Sequence, residues 1–290
     1  MKLVILLLSL GLAAGTTVQA GDAVPATELP SRSWTPAGEA RAHIIGLHSF
    51  GDYHAAFNHL GPFFAERGLA VHAHDQRGFG GTHNNGHWSG TDRMVRDVLV
   101  RARHLQANGA ERIYLLGESM GGAVAMLAAV REPELIDGLI LAAPAVREGI
   151  WIRYIYNAGL SVVAAVAPGA THEVERDADN PALRAGTAQR LARDPLVVRQ
   201  VRMDTYRGLI ALADRASNRA PEIEVPVLLM FGGRDESIPK VSIQHLRDHL
   251  GEHLSWRFYE QGPHLLLQAR QWQRHAGDIA AWIDAQIPGP

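Results

Sequence analysis

Arg112-Ile113-Tyr114-Leu115-Leu116-Gly117-Glu118-Ser119-Met120-Gly121-Gly122, running on into Ala123-Val124-Ala125-Met126-Leu127-Ala128-Ala129-Val130, is the stretch whose reading decides the fold. The apolar run 112–116 predicts a strand. The alanine-rich run 120–130 predicts a helix. Only Gly117, Glu118 and Ser119 separate them, so the chain must turn sharply, with a serine at the tip in strained backbone geometry. Glycine at 117 and 121 removes the Cβ atoms that would clash as the two segments close on each other. A G-x-S-x-G sequence between a strand and a helix is a nucleophile elbow. It lifts the Ser119 hydroxyl out of the turn and places it beside the free N–H groups of a helix N-terminus.

Outward from this point the pattern repeats. Apolar runs at 43–48, 69–74, 138–143, 225–231 and 256–260 predict further strands, with a short edge strand at 31–34. Amphipathic segments predict helices at 55–66, behind an S-x-x-D capping pattern at Ser89 and Asp92, and at 272–287. Strands without alternation, set between helices, imply an α/β fold with a doubly wound, mostly parallel sheet covered on both faces. Such a sheet carries its chemistry in the loops at the carboxyl ends of its strands. The alternation stops over residues 146–221. No strand is predicted there, and helical segments are expected at 150–167, 181–191 and 195–216, the last with Asp194 as N-cap and Pro195 as first residue. This reads as a helical cap inserted after the fourth recognisable strand.

A serine hydroxyl needs a base to take its proton. In this topology the order is serine, acid, histidine. Asp235, in Gly232-Gly233-Arg234-Asp235-Glu236-Ser237-Ile238-Pro239 after the fifth strand, is the expected acid, with Glu236 its competitor and Asp248 too deep in the next helix. His264 follows the sixth strand as the expected general base. Asp235 would orient it and stabilise the imidazolium. The oxyanion would be held by the N–H groups of Met120 and of Phe50, in the loop His48-Ser49-Phe50-Gly51-Asp52-Tyr53.

Together these motifs resemble the monoacylglycerol lipase and lysophospholipase-like branch of the α/β-hydrolases, which is grouped with serine aminopeptidase-type hydrolases. The resemblance rests on His48-Ser49-Phe50-Gly51, Asp75-Gln76-Arg77-Gly78-Phe79-Gly80-Gly81-Thr82, Gly117 to Gly122, Gly232 to Pro239, Gly262-Pro263-His264 and the cap sequence Arg193-Asp194-Pro195-Leu196. It covers roughly residues 31–287. The chain departs from the branch at Ser49 in place of glycine, Thr82 in place of serine, Glu118 in place of histidine and Ile238 in place of valine. The spacing before His264 is also one residue shorter. The resemblance implies an esterase or lipase acting on a small-molecule ester with an apolar acyl group, of monoacylglycerol or lysophospholipid type, without metal or organic cofactor. Cap residues Trp151, Tyr154, Ile155 and Leu160 are expected to line a lipophilic pocket, and contact between the cap and a membrane surface is a further reading. Two alternatives stay open. One is an aminopeptidase or amidase on small hydrophobic substrates, which would need Glu118, Asp52 or Glu173 to grip an amine. The other is a binding protein without catalysis on the same fold.

Composition narrows the rest. The net charge of −2 over 290 residues offers no basic face to nucleic acid. The absence of cysteine excludes thiolate chemistry and disulfides. Met1-Lys2, an apolar run over 3–14 and a small-residue site ending at Ala20 predict a signal peptide over 1–20, a tether over 21–30 and export to the periplasm or beyond. His72 and His74 before Asp75 lack the spacing of a metallohydrolase. His245, His249 and His253 read as a solvated helix face, with no glutamate in H-E-x-x-H position.

Overall fold

The computed structural model describes residues 24–148 and 166–287. Nine strands occur among them: β1 (Ser31–Trp34), β2 (Ala42–Leu47), β3 (Leu69–His74), β4 (Ile113–Glu118), β5 (Gly138–Ala142), β6 (Thr171–Glu173), β7 (Gln200–Arg202), β8 (Val227–Gly232) and β9 (Leu254–Tyr259). Seven form one sheet in the order β1-β3-β2-β4-β5-β8-β9. Only β1 is antiparallel to its neighbour, pairing Ser31 with His74 and Trp34 with Val71. The helices are α1 (Leu60–Ala65), α2 (Thr91–Ala107), α3 (Met120–Arg131), α4 (Ala185–Arg193), α5 (Met203–Arg219), α6 (Lys240–Leu250) and α7 (Trp272–Gln286).

The strand pleat sorts the core into two halves. Ile45, Leu47, Leu115, Leu139 and Leu141 face α2, α3, α5 and α6, while Ile44, Tyr114, Leu116 and Ile140 face α1 and α7. Both faces of the central strands are therefore dry, which is why their sequences run apolar without alternation. The chain winds outward from β2 to β3, then returns to the far side of β2 with β4. The loops after β2 and β4 meet at this reversal, the place where a doubly wound sheet opens a crevice. Helix α3 is buried on nearly every side, from Met120 to Ala129.

Four local expectations are corrected. The helix expected at 55–66 is a 3-10 turn, His54–Phe57, followed by α1. Pro62 has no N–H to donate back to Asn58, so the helix can only restart around it. Helix α2 is capped at Gly90, whose φ is 94°, and Ser89 makes no cap bond. The segment 146–221 does contain strands: β6 and β7 pair antiparallel, Thr171 with Arg202 and Glu173 with Gln200. Asp194 does not start a helix. It ends α4, and its Oδ1 accepts the Leu196 N–H at 2.9 Å in a local turn. The last cap helix begins at Met203 rather than at Pro195. The 195–199 stretch instead runs back to the β2 loop, where the Val198 N–H donates to Gly51 O at 2.8 Å. The expected leader 1–20 and the cap residues Trp151, Tyr154, Ile155 and Leu160 lie outside the described residues.

Candidate active site

Ser119 sits between β4 and α3 with φ 52° and ψ −114°, a backbone conformation that costs an L-residue energy. The surroundings hold it there. Ser119 N–H donates to Ala142 O at 3.0 Å, and Ser119 O accepts from Ala145 N–H at 2.8 Å and Ala123 N–H at 3.2 Å. A Cβ on Gly121 would lie 2.1 Å from Leu47 O, and one on Gly117 would lie 2.4 Å from the Gly121 carbonyl carbon. Both glycines are steric necessities of the elbow.

The three side chains singled out in the sequence come together in series. His264 Nε2 lies 3.0 Å from Ser119 Oγ, and His264 Nδ1 lies 2.8 Å from Asp235 Oδ2. Ser119 is 8% exposed and Asp235 6%, so the chain of bonds runs from a buried anion to a hydroxyl at the edge of solvent. Asp235 is oriented from its other oxygen, where Oδ1 accepts the N–H groups of Ser237 at 2.7 Å and Ile238 at 3.0 Å. The ends of β8 and β9 bring the two loops together: Gly233 N–H donates to Tyr259 O at 2.8 Å and Arg234 N–H to Gly262 O at 3.0 Å. Glu236 is exposed, and Asp248 lies exposed on α6, bonded to Gln244.

The loop after β2 is set by His48. Its Nδ1–H donates to Ser49 O at 2.8 Å, and its Nε2 accepts Gln76 N–H at 2.9 Å. Burial lowers the pKa of this ring, consistent with the neutral tautomer that one donor and one acceptor require. Asp52 N–H also donates to Ser49 O, at 3.2 Å. A trans peptide points its C=O and N–H in opposite directions. Pinning Ser49 O therefore turns the Phe50 N–H the other way. Among the described residues, neither the Phe50 nor the Met120 N–H donates to a backbone acceptor.

Residues that the sequence did not single out as a set complete the surroundings. Asp52 is buried and forms a two-pronged pair with Arg190 of α4. Burial pushes its carboxyl up, but the charge and hydrogen bonds of Arg190 more than reverse this, and its pKa is lowered. Gln268 bonds to Asp52, Arg190 and Glu118. Tyr53 OH donates to Asp194 Oδ2 at 2.6 Å. Of the carboxylates considered for gripping an amine, Asp52 and Glu118 are thus occupied, and Glu173 is exposed on β6. Trp88 and the Asn84-Asn85-Gly86 turn seat α5. A Cβ on Gly208 would lie 2.3 Å from the Trp88 ring, and Thr205 Oγ1 donates to Gly86 O at 2.8 Å. His72 is engaged by His43 at 3.1 Å and by Ser33 at 2.9 Å, apart from the buried His74. His253 falls beyond the end of α6, so the three histidines do not share one helix.

Comparison with known proteins agrees with this fold. The serine aminopeptidase S33 family of hydrolases matches over residues 38–271. A monoacylglycerol lipase of Mycolicibacterium smegmatis is 26% identical over 269 residues, covering 88% of this chain and 92% of that protein. The crystal structure of Paleococcus ferrophilus monoacylglycerol lipase superposes with a TM-score of 0.76 at 20% identity, covering 89% of this chain and 99% of the other. A soluble variant of Saccharomyces cerevisiae monoglyceride lipase, solved in complex with a substrate analogue, superposes with a TM-score of 0.74 at 18% identity, covering 89% and 92%. The chain belongs to the serine aminopeptidase S33 family of α/β-hydrolases, in its monoglyceride lipase-like branch, and is a serine hydrolase of the lipase and esterase type.

Proposed function

We propose that the protein hydrolyses carboxylic esters bearing one apolar acyl chain, of monoacylglycerol or lysophospholipid type, through an acyl-enzyme on Ser119. The observation that carries this reading is the unbroken sequence of hydrogen bonds from Asp235 through His264 to Ser119 at a strained elbow. His264 takes the Ser119 proton as Oγ attacks the ester carbonyl. The tetrahedral oxyanion forms against the N–H groups of Met120 and Phe50. His264 then protonates the leaving alcohol, and water activated by the same ring releases the acid. Asp235 fixes the tautomer and stabilises the imidazolium.

Ester rather than amine-terminal peptide is supported by the occupancy of Asp52 and Glu118, which leaves neither free to grip a substrate ammonium. The monoacylglycerol lipases among the relatives support the acyl-glycerol class. Trp151, Tyr154, Ile155 and Leu160 as acyl-chain contacts, contact of the cap with a membrane surface, and export after Ala20 belong to the same proposal and rest on the sequence pattern.

The test is reaction with a fluorophosphonate followed by peptide mass spectrometry, alongside turnover of a monoacylglycerol and of an aminoacyl amide. Stoichiometric labelling at Ser119, lost in Ser119→Ala, with faster ester turnover is expected. Undiminished turnover in Ser119→Ala, or preference for the amide, overturns the proposal. Recovery of a chain beginning at Gly21 outside the cytoplasm is the expected result for export, and recovery of the full-length chain inside it counts against that part.

A further inference from the structure

Behind the elbow lies a buried polar knot that the steps at Ser119 do not use. Glu118, the residue before the nucleophile, is 1% exposed. Its Oε1 accepts the Leu267 N–H at 2.8 Å, and its Oε2 accepts Gln268 Nε2–H at 2.9 Å. The same Gln268 nitrogen donates to Asp52 Oδ2 at 3.1 Å, while its Oε1 accepts from Arg190 at 2.8 Å. One amide thus joins the elbow, the β2 loop and cap helix α4. It sits on the turn that directly follows His264, where Leu266 N–H donates to His264 O at 3.0 Å.

Two donors aimed at the two oxygens of one carboxyl suit the ionised form, which only accepts. A proton on either oxygen needs an acceptor, and the partners in place are both donors. The charges facing Glu118 are mixed. His264 and Asp52 act on it directly, and Arg190 stands behind Gln268. His48 faces Asp52. His59 and His275 donate to Leu267 O and Leu266 O, and burial lowers both rings, His59 to about 4, so both stay neutral near neutral pH. Burial pushes Glu118 up to about 7, against the pull of Gln268, Leu267 and His264 and with the push of Asp52.

We propose that ionised Glu118 is a positioning residue for the hydrolysis: its two oxygens hold the Leu267–Gln268 turn and so set His264 against Ser119, and a proton on Glu118 releases that hold. The inference rests on the reading of Ser119 as nucleophile. The proton on Glu118 then adds to the acid-side loss that any general-base mechanism shows.

The experiment is the pH dependence of kcat/KM on a soluble monoacyl ester. The wild-type acid limb is expected to be steeper than one proton, its logarithmic slope approaching about 2. Glu118→Gln supplies one acceptor oxygen for two donors, so one donor loses its partner. Its acid limb is expected to fall with a slope of about 1, with kcat lowered roughly 10- to 100-fold and KM within about twofold. Gln268→Met removes a donor from the carboxylate and is expected to move the steep limb to higher pH. A one-proton limb in the wild type, or a Glu118→Gln profile matching the wild type in shape and plateau, overturns the inference. Should Glu118→Gln not fold, the wild-type slope and the Gln268→Met shift still decide. Turnover surviving in Ser119→Ala instead removes the ester reading itself, an outcome separate from either result at Glu118.

Discussion

Around Ser119 backbone meets backbone. A Cβ on Gly121 would lie 2.1 Å from Leu47 O, and one on Gly232 would lie 2.2 Å from Gly262 O. The cap is fastened differently. Arg190 reaches Asp52, Asp194 accepts from Tyr53, Thr205 bonds to Gly86 O and Arg215 pairs with Asp92. All four ties are made by side chains, two of them long arginines, beside a backbone bond from Val198 N–H to Gly51 O. The first region has no geometry to spare, whereas the second can yield or re-form by rotation. The difference sorts substitutions into those that end catalysis or folding and those that only loosen the cap.

The largest expected effect is at Asp235. Asn at this position can keep its oxygen on the Ser237 and Ile238 N–H groups, which places its NH2 toward His264 Nδ1. The ring must then take the other tautomer, with its proton facing Ser119. Asp235→Asn should lower kcat by about 10⁴-fold with little change in stability. A loss of less than tenfold in steady-state assays would remove Asp235 from the series.

Gly121→Ala comes next and tests the rigid side directly. Its Cβ meets carbonyl atoms of Leu47 and His48 that cannot rotate away. The expected cost is on the order of 4–5 kcal/mol, with activity lost. Gly208→Ala is its counterpart in the cap, where the obstacle is the half-buried Trp88 ring. A ring can turn, so about 1–3 kcal/mol is expected. Denaturant midpoints of the two variants compare the regions, and equal losses would erase the distinction.

This distinction also explains what could be read from sequence. Rigid backbone contacts demand glycine at fixed spacing, and buried strands demand apolar runs, so both the elbow and the sheet were legible. So was the approach of Asp235 and His264 to Ser119, because the strand order fixes which loops face it. The β6–β7 hairpin was not. Each strand has three residues, and those of β6 are all exposed, so no period-two pattern exists to find. At Asp194-Pro195 the same pair of residues suits a helix N-cap and a local turn, and only the tie from Tyr53 to Asp194 and the docking of Val198 on the β2 loop distinguish them. Gln268 meets Arg190 across 78 positions and Glu118 across 150, a separation at which no local signal survives.

Arg190→Met strips the buried Asp52 of its cation. The Arg190 side chain is 15% exposed, so water compensates in part and about 3 kcal/mol is expected at neutral pH, near the lower end for a broken buried pair. The sign with pH follows from Asp52. In the wild type its lowered pKa contributes stability that is present above the unfolded carboxyl value and lost as pH falls through the folded one. Without Arg190, burial pushes the carboxyl up instead, and its protonation in mild acid relieves the variant. The stability gap between wild type and variant should therefore narrow as pH is lowered. Unfolding titrations that show a constant gap would mean that Asp52 does not carry the charge assigned to it.

Tyr53→Phe is the smallest and isolates one cap tie. The phenol donates to Asp194, which is partly buried but still reached by solvent and keeps the Leu196 N–H, so water can replace the lost partner on the carboxylate side. The Tyr53 pKa is raised to about 12, first by burial and then by Asp194, so the phenol keeps its proton near neutral pH. The expected loss is about 1 kcal/mol. The ring also lies near Arg190, at 5.3 Å from its guanidinium carbon, and Phe preserves that contact. What the substitution removes is one anchor of the 194–198 stretch, while Val198 N–H still holds Gly51 O beside the predicted oxyanion donor. kcat should therefore stay within about threefold of the wild type, since a loss near 1 kcal/mol in the folded state need not enter the transition state. A tenfold fall in kcat at unchanged KM would show instead that the cap sets the oxyanion loop through Tyr53, and would move this tie from the yielding side of the molecule to the rigid one.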